Sequence, residues 1–395
     1  MPSAGKRIGI FGNFGIPNFG NDATLQSMLL FLRQTQPDAE LVCVCANPEK
    51  AQRDHQIAAL PMNRPGPPIL KKLSNWVYAI ETMRTLDMLI IPGTGILGDY
   101  CQSPFGMPYV IFRWCLAARL CRKNIALVSV GAGPLHHPIT KWFVKSVVSM
   151  ARYRSYRNNF SKEFLTGLGM NTESDPVYPD LVFRLPTPPS PVAQSGDGDG
   201  TTVCVGVMSY NGWLGHLRTD DSIYEEYLRK ITEFVLWLLD GGNKVRILVG
   251  EAADQKVVEQ LRGAILIERP SLPEGRLNTD VAHSSHELMR QMADADIVIS
   301  SRFHNLIFAM MQGKLTISTG YAEYFAELMA DMGMGAFCQH SGQIKTETLI
   351  AQFTELMSNR NHYEAITRDA VSAARKRLAD QDVVFTSQFL EASSR

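Results

Sequence analysis

Runs of aliphatic residues closed by glycine alternate along this chain with longer amphipathic stretches, and this alternation limits the fold more than any other feature. RIGIFG is followed by DATLQSMLLFLRQTQ and AELVCVCA, and DMLIIPG by PYVIFRWCLAARLC and NIALVSVG. Short β-rich runs joined by helical segments predict parallel sheets with crossover helices. In the first helical stretch Leu25, Met28, Leu29 and Leu32 keep the i, i+3, i+4, i+7 spacing of a single stripe. That spacing predicts a helix laid against a sheet, with Asp22 at its cap. The pattern breaks over residues 186–200, PTPPSPVAQSGDGDG, where Pro, Gly and Ser replace apolar residues; such a composition predicts a linker. It resumes with TTVCVGVMS, SIYEEYLRKITEFVLWLLD, KVRILVG, HELMRQMAD, ADIVISS and KLTISTG. The expected fold class is therefore α/β, with two Rossmann-like parallel-sheet domains. The first covers 1–188, a linker 189–200, and the second 201–395, with a tail of helical pattern from about residue 343.

Charge and cysteine usage narrow the function. Lys plus Arg and Asp plus Glu both count 39, so the balance offers no electrostatic footprint for nucleic acid. The seven cysteines, Cys43, Cys45, Cys101, Cys115, Cys121, Cys204 and Cys338, are scattered and read as reduced core residues, with no two-residue spacing of a zinc or redox motif. His283 and His286 lack the four-residue spacing of a zincin pair, and no metal is expected. The N-terminal MPSAGKRIGIFG enters a strand before any signal-like segment develops, and no apolar run reaches the 18 or so residues that span a bilayer. The expected location is the cytoplasm.

In open parallel sheets, ligands bind outside the carboxyl ends of strands. Three Gly-rich turns follow strands in the first half. GNFGIPNFGND holds Gly12, Asn13, Gly15, Asn18, Gly20, Asn21 and Asp22; PGTGILGD holds Gly93 and Gly95; GAGP holds Gly131 and Gly133. Each reads either as a backbone cradle for an anion or sugar or as a tight turn that needs positive φ. GNFGIPNFGND lacks the Lys-Ser/Thr of a Walker loop and the spacing of a dinucleotide fingerprint. In the second half ADIVIS runs into SRFHNLIFAMMQGK. If the strand continues to residue 304, Ser300, Arg302 and His304 point to one side; if a helix begins at Ser301, Arg302 sits in its first turn, where the dipole disfavours a cation. A bound anion reconciles either geometry, and the bland alternative is a surface arginine beside a core histidine. His136 and His137 follow GAGPL and read as exposed loop residues or crevice lining. Asp99, Asp180 and Glu323 form no closely spaced pair of the glycosidase kind. YNGW at 210–213 reads as a sugar-stacking platform or as a packed edge.

Taken in order, the motifs resemble those of the polysaccharide pyruvyl transferase family: GNFGIPNFGND (12–22), PGTGILGD (92–99), SVGAGPL (129–135), YRNNFSKEFLTGLGM (156–170), DPVYPDLVFRL (175–185), ADIVISSRFHNLIFAMMQGK (295–314) and TGYAEYFAELMADMGM (319–334). The S-x-R-x-H block, followed by an Ala-containing helix, Gly, a strand and Tyr, is the family's characteristic piece. The resemblance implies a GT-B-like arrangement with a cleft between the domains. It also implies transfer of a carboxyethylidene group from phosphoenolpyruvate (PEP), as co-substrate and with no cofactor, onto two hydroxyls of a saccharide, releasing phosphate.

By the same resemblance Arg302 and His304 are the expected catalytic residues. Ser300, Ser301, Asn305 and Tyr321 join the Gly-turn residues in substrate binding, with PEP on the second half and the sugar on the first. Two positions depart from the family pattern. A Lys common about three residues after the Tyr is absent, Tyr321 being followed by Ala322, Glu323 and Tyr324, and an Arg common near Met208, Ser209 and Tyr210 is absent too. Arg218 is the expected substitute. The implied acceptor is a saccharide or lipid-linked oligosaccharide in cell-surface polysaccharide synthesis, with peripheral association to membrane-bound assembly machinery. Two other readings compete: a GT-B glycosyltransferase using a nucleotide sugar, with Glu323 on the ribose, and a non-catalytic binding subunit.

Overall fold

The computed structural model describes residues 5–65, 68–99, 103–188, 200–212 and 221–391. Its contacts divide the chain into two units, the first made of Met1–Ile16, Asn21–Leu185 and Ala374–Arg395, the second of Pro17–Gly20 and Pro186–Ala373. The expected linker, 189–200, lies outside the described residues except for Gly200, and so does Arg218.

The first unit is built on β1 (Arg7–Phe11), β2 (Glu40–Cys45), β3 (Ala58–Pro61), β4 (Met88–Pro92), β5 (Asn124–Val130) and β6 (Tyr153–Tyr156). All pair in parallel, in the order β3-β2-β1-β4-β5-β6. The connecting helices are α1 (Phe19–Thr35), α2 (Pro48–His55), α3 (Pro68–Thr85), α4 (Met107–Leu120) and α5 (Pro138–Met150), with α6 (Asn159–Gly167) after β6. The strand order changes direction between β1 and β4, and that switch point is where a parallel sheet leaves a crevice beyond its carboxyl ends. The stripe Leu25, Met28, Leu29 and Leu32 is buried, as its spacing requires. Asp22 does not cap α1, however. The helix begins three residues earlier at Phe19, and the Asp22 carboxylate instead accepts the Gly15 N–H at 3.1 Å and the Lys50 ammonium at 3.2 Å.

The second unit repeats this winding with β7 (Thr202–Gly206), β8 (Lys244–Leu248), β9 (Leu277–Asn278), β10 (Ile297–Ser300) and β11 (Leu315–Ser318), in the parallel order β11-β10-β7-β8-β9. Its helices are α7 (Asp221–Asp240), α8 (Gln255–Glu268), α9 (Ser285–Ala293), α10 (Phe303–Met311), α11 (Glu323–Asp331) and α12 (Thr346–Ser358). The switch point falls between β7 and β10. The strand and helix segments marked in the sequence are all present; β3, β6 and β9 add to them.

The sequence assigns 201–395 to one half, whereas the contacts divide that stretch at Ala374. The long helix α13 (Arg360–Phe385) begins in the second unit, where Arg360 pairs with Asp296 at 2.6 Å. It ends in the first, where buried Gln381 bonds Ser129 Oγ at 3.1 Å and Ser155 Oγ at 2.9 Å, and Arg184 grips Asp382. A row of Leu378, Gln381, Phe385 and Phe389 at helical spacing accounts for that packing.

Candidate active site

At the switch point of the second sheet, β10 ends at Ser300 with every residue buried. Neither sequence geometry for the following residues holds. Arg302 is extended (φ −108°, ψ 123°) as the residue before α10, which starts at Phe303. Arg302 and His304 are therefore not aligned by strand alternation. They stand at the cap and second position of a helix. The break follows from local bonding: Ser301 N–H donates to Gly206 O at 3.0 Å, continuing the ladder to β7, while Ser300 Oγ accepts the Arg302 N–H at 3.0 Å and turns the chain.

Each nitrogen of the Arg302 guanidinium has a carboxylate partner. Nε donates to Asp254 Oδ2 at 2.8 Å, Nη2 to Asp254 Oδ1, and Nη1 to Glu251 Oε2 at 3.0 Å. Burial opposes its charge, but Asp254 and Glu251, with Tyr321 nearby, hold its pKa above the usual arginine range. The carboxylates also answer the cation that the α10 dipole would otherwise disfavour. They differ in accessibility: the Asp254 side chain is 0 % exposed and that of Glu251 32 %. Asp254 is thus a buried bidentate partner, and Glu251 a partly exposed single contact.

His304 stacks edge-on against Phe303 with ring centroids 5.5 Å apart, and Phe308 lies 6.4 Å away. Gly20, which groups with this unit, faces the imidazole so closely that a Cβ there would collide with Nδ1. Its neighbours bind the same turn: Phe19 N–H donates to Gly250 O at 3.3 Å, and Asn18 forms a bridge with Glu251. Asn305 is 1 % exposed and wedged between two strand ends, since a Cβ on Gly206 would lie 2.8 Å from its Nδ2 and one on Gly250 3.1 Å from its Oδ1. Its Nδ2 has no hydrogen-bond partner among the described residues.

Ser301 belongs to a buried hydroxyl chain, 2.8 Å from Thr319 Oγ1 and 2.9 Å from the Tyr227 hydroxyl, whose pKa burial pushes up to about 12. Tyr321 Oη accepts the Tyr324 hydroxyl at 2.9 Å. The Tyr321 carbonyl lies 3.0 Å from His340 Nε2. Because His340 Nδ1 accepts the Gly342 N–H, Nε2 is the protonated nitrogen and donates. Tyr210 is buried beside Tyr227 and His340, so it acts as a packed residue and leaves no open sugar platform; Trp213 lies outside the described residues.

In the first unit the Gly-rich turns bond largely to their own neighbours. Gly12 N–H donates to Val44 O at 3.2 Å, Gly131 N–H to Thr94 O at 2.9 Å and Gly133 N–H to Leu97 O at 3.1 Å. With Gly15 N–H on Asp22, four of the amides expected to cradle a ligand serve internal acceptors. Any part these residues take in binding falls to other atoms. Asn21 Nδ2 donates to Asn13 O at 3.1 Å, Gly93 packs against Ser129 O, and Gly95 O accepts Gly98 N–H at 3.1 Å. Buried Asp99 accepts the backbone N–H of His136 at 2.7 Å and of His137 at 3.3 Å, tying the turn after β4 to that after β5. Arg157, over Gly131, pairs with buried Asp180 at 3.5 Å.

Sequence reasoning missed Glu251 and Asp254. Their signal is GEAAD directly after the buried strand KVRILVG, the same strand-end position that marked the glycine turns. Among the described residues, no cluster of His, Cys, Asp and Glu is suited to a metal, and no helix is long and apolar enough to cross a membrane.

The family model described as polysaccharide pyruvyl transferase matches residues 18–323. No curated protein matches the sequence significantly. Several solved structures share the fold. Anabaena HepE in complex with UDP and glucose is 15% identical, with 98% of this chain and 99% of that one covered and a TM-score of 0.61. The Neisseria meningitidis UDP-GlcNAc 2-epimerase bound to UDP-GlcNAc is 11% identical, with 96% and 99% covered and a TM-score of 0.62. A glycosyltransferase from Rickettsia africae is 11% identical, with 98% and 99% covered and a TM-score of 0.64. These likenesses are of fold: two parallel-sheet α/β units of the GT-B-like kind.

Proposed function

Because the chain belongs to the polysaccharide pyruvyl transferase family, we propose that it transfers a pyruvyl ketal from PEP to two hydroxyls of a saccharide and releases phosphate. The observation that carries this reading is the Arg302 site: a guanidinium at the N-terminus of α10 with one fully buried carboxylate, one partly exposed carboxylate and His304 two residues on. An incoming PEP anion displaces Glu251 from Nη1, while Asp254 keeps the guanidinium plane in place. The N-terminal end of α10 adds partial positive charge to the same spot. The buried Asn305 Nδ2 supplies a further donor after a small rotation of its amide.

The reaction then needs few groups. One sugar oxygen adds to C2 of PEP as a proton reaches C3, converting methylene to methyl. The second oxygen replaces phosphate at C2, and the second hydroxyl proton leaves with phosphate. His304 is the acid and base for these transfers, held against Gly20 and Phe303. Arg302 disperses the charge of the carboxylate and departing phosphate.

Two measurements test the site. Calorimetric titration is expected to detect PEP binding and none by UDP; UDP binding in the absence of PEP binding would turn the reading toward a nucleotide-sugar glycosyltransferase. Glu251→Gln removes the carboxylate that competes for Nη1, so PEP should bind more tightly, by up to about fivefold if the competition is worth what an exposed ion pair usually is. Weaker PEP binding in Glu251→Gln would mean that Glu251 orients Arg302 and does not compete with the substrate.

A further inference from the structure

The first unit carries an apolar, aromatic surface that the proposed chemistry leaves unused. In a parallel sheet each crossover helix starts beyond the carboxyl end of the preceding strand. The N-terminal halves of α3, α4 and α5, with the residues just before them, therefore lie toward one edge of the sheet. There Leu73 is 67 % exposed, Phe105 58 % and Trp142 57 %, with Val77 one turn beyond Leu73 and Ile139 one turn before Trp142 also open. The residues beneath join them into one face. Trp142 packs on Phe112 at 5.0 Å, Phe105 on Phe143 at 6.4 Å, and the Trp76 Nε1–H of α3 donates to Tyr109 of α4 at 3.0 Å. Soluble proteins rarely leave several large side chains together in water without a partner.

Charge identifies the partner. Residues 100–162 contain ten Lys and Arg and no Asp or Glu, in a chain whose totals are equal at 39. Arg113, Arg154 and Arg157 are consumed internally. Lys162 is consumed likewise by the carbonyls of Glu173 and Asp175, and Arg119, Arg122, Lys123 and Arg152 stand at the amino ends of β5 and β6. The cations beside the apolar face are Lys72, 5.7 Å over the Phe105 ring, and Lys141 and Lys145, which neighbour Trp142 on α5. Open Trp, Phe and Leu ringed by lysine is the composition of a surface that rests in a membrane interface bearing negative charge.

We propose that this face of the first unit docks on an anionic lipid bilayer, with Trp142 and Phe105 entering the headgroup region and Lys72, Lys141 and Lys145 meeting lipid phosphates. The docking needs no membrane-spanning segment. It would bring the turns after β4 and β5 to the bilayer surface, where a lipid-linked saccharide presents its sugars.

Flotation with vesicles of phosphatidylglycerol and phosphatidylcholine tests this on the full chain, without PEP or acceptor, so the outcome is independent of the pyruvyl transfer reading. The protein should float with these vesicles, stay behind with phosphatidylcholine alone, and be released as salt screens the lysines. Phe105→Glu with Trp142→Glu, and separately Lys141→Glu with Lys145→Glu, should each lower the bound fraction by about tenfold or more. Phe105 and Trp142 are exposed and Lys141 and Lys145 half-buried, and unchanged thermal unfolding identifies the variants as folded. Failure of the unaltered protein to float, or equal flotation of all variants, would overturn the proposal. So would light scattering that finds a dimer split by Trp142→Glu, because the face would then cover a second copy of the chain.

Discussion

Replacing Arg302 by alanine is expected to cost the second unit about 3–5 kcal/mol of stability, because it strands the fully buried Asp254 carboxylate without its bidentate partner. Asp254→Ala should cost a similar amount by leaving the guanidinium half-paired. The double variant should recover much of the loss, since neither charge then remains to be stranded. Calorimetric unfolding of the four proteins closes the cycle. Additive losses would mean that the two residues act separately, against the geometry of their paired contacts. This stability burden also means that Arg302→Ala confounds folding with PEP affinity. Arg302→Lys, which keeps the charge but loses the planar fork, isolates the binding role.

His304 carries the largest expected effect on rate. Substitution by alanine should lower turnover by about 10² to 10⁴ while PEP affinity changes little, because a proton carrier acts while protons move and an anion ligand acts throughout. The matching readout is calorimetric PEP affinity beside single-turnover phosphate release. Its position favours the assignment: the imidazole sits at the second position of α10, closed on one side by Gly20 and on another by Phe303. Equal loss of PEP affinity in His304→Ala and Arg302→Lys would recast His304 as a second anion ligand.

Much of the architecture could be read from periodicity. Strands buried on both faces, such as those in NIALVSV and ADIVIS, announce themselves as mostly aliphatic runs, and the helices between them carry clear stripes. What escaped were elements without that signature. The strand YRSY at 153–156 carries Arg154 and Ser155 side by side at its centre and so has neither an aliphatic run nor a period of two, and LN at 277–278 is too short to have a period. The division of the tail at Ala374 was hidden for another reason: the helical pattern says that one face is apolar, not which sheet it covers. The location of the candidate site was legible in SSRFHN, but its electrostatics were not. Arg302 reads as a cation awaiting an anion. Its partners stand 48 and 51 residues upstream, at the end of a different strand, and only sheet order brings them together. The glycine turns teach the converse, since GAGP and GNFG mark strand ends correctly while several of their amides are already spoken for.

The central claim is that phosphate leaves PEP only as a sugar is modified. Its most direct measurement is phosphate release followed in parallel with the mass of a candidate saccharide acceptor, with PEP and acceptor supplied together and each omitted in turn. The expected result is release that requires both, with one carboxyethylidene group gained by the acceptor for each phosphate freed. Phosphate release without change in the acceptor, or an acceptor modified only when a nucleotide sugar replaces PEP, would contradict it.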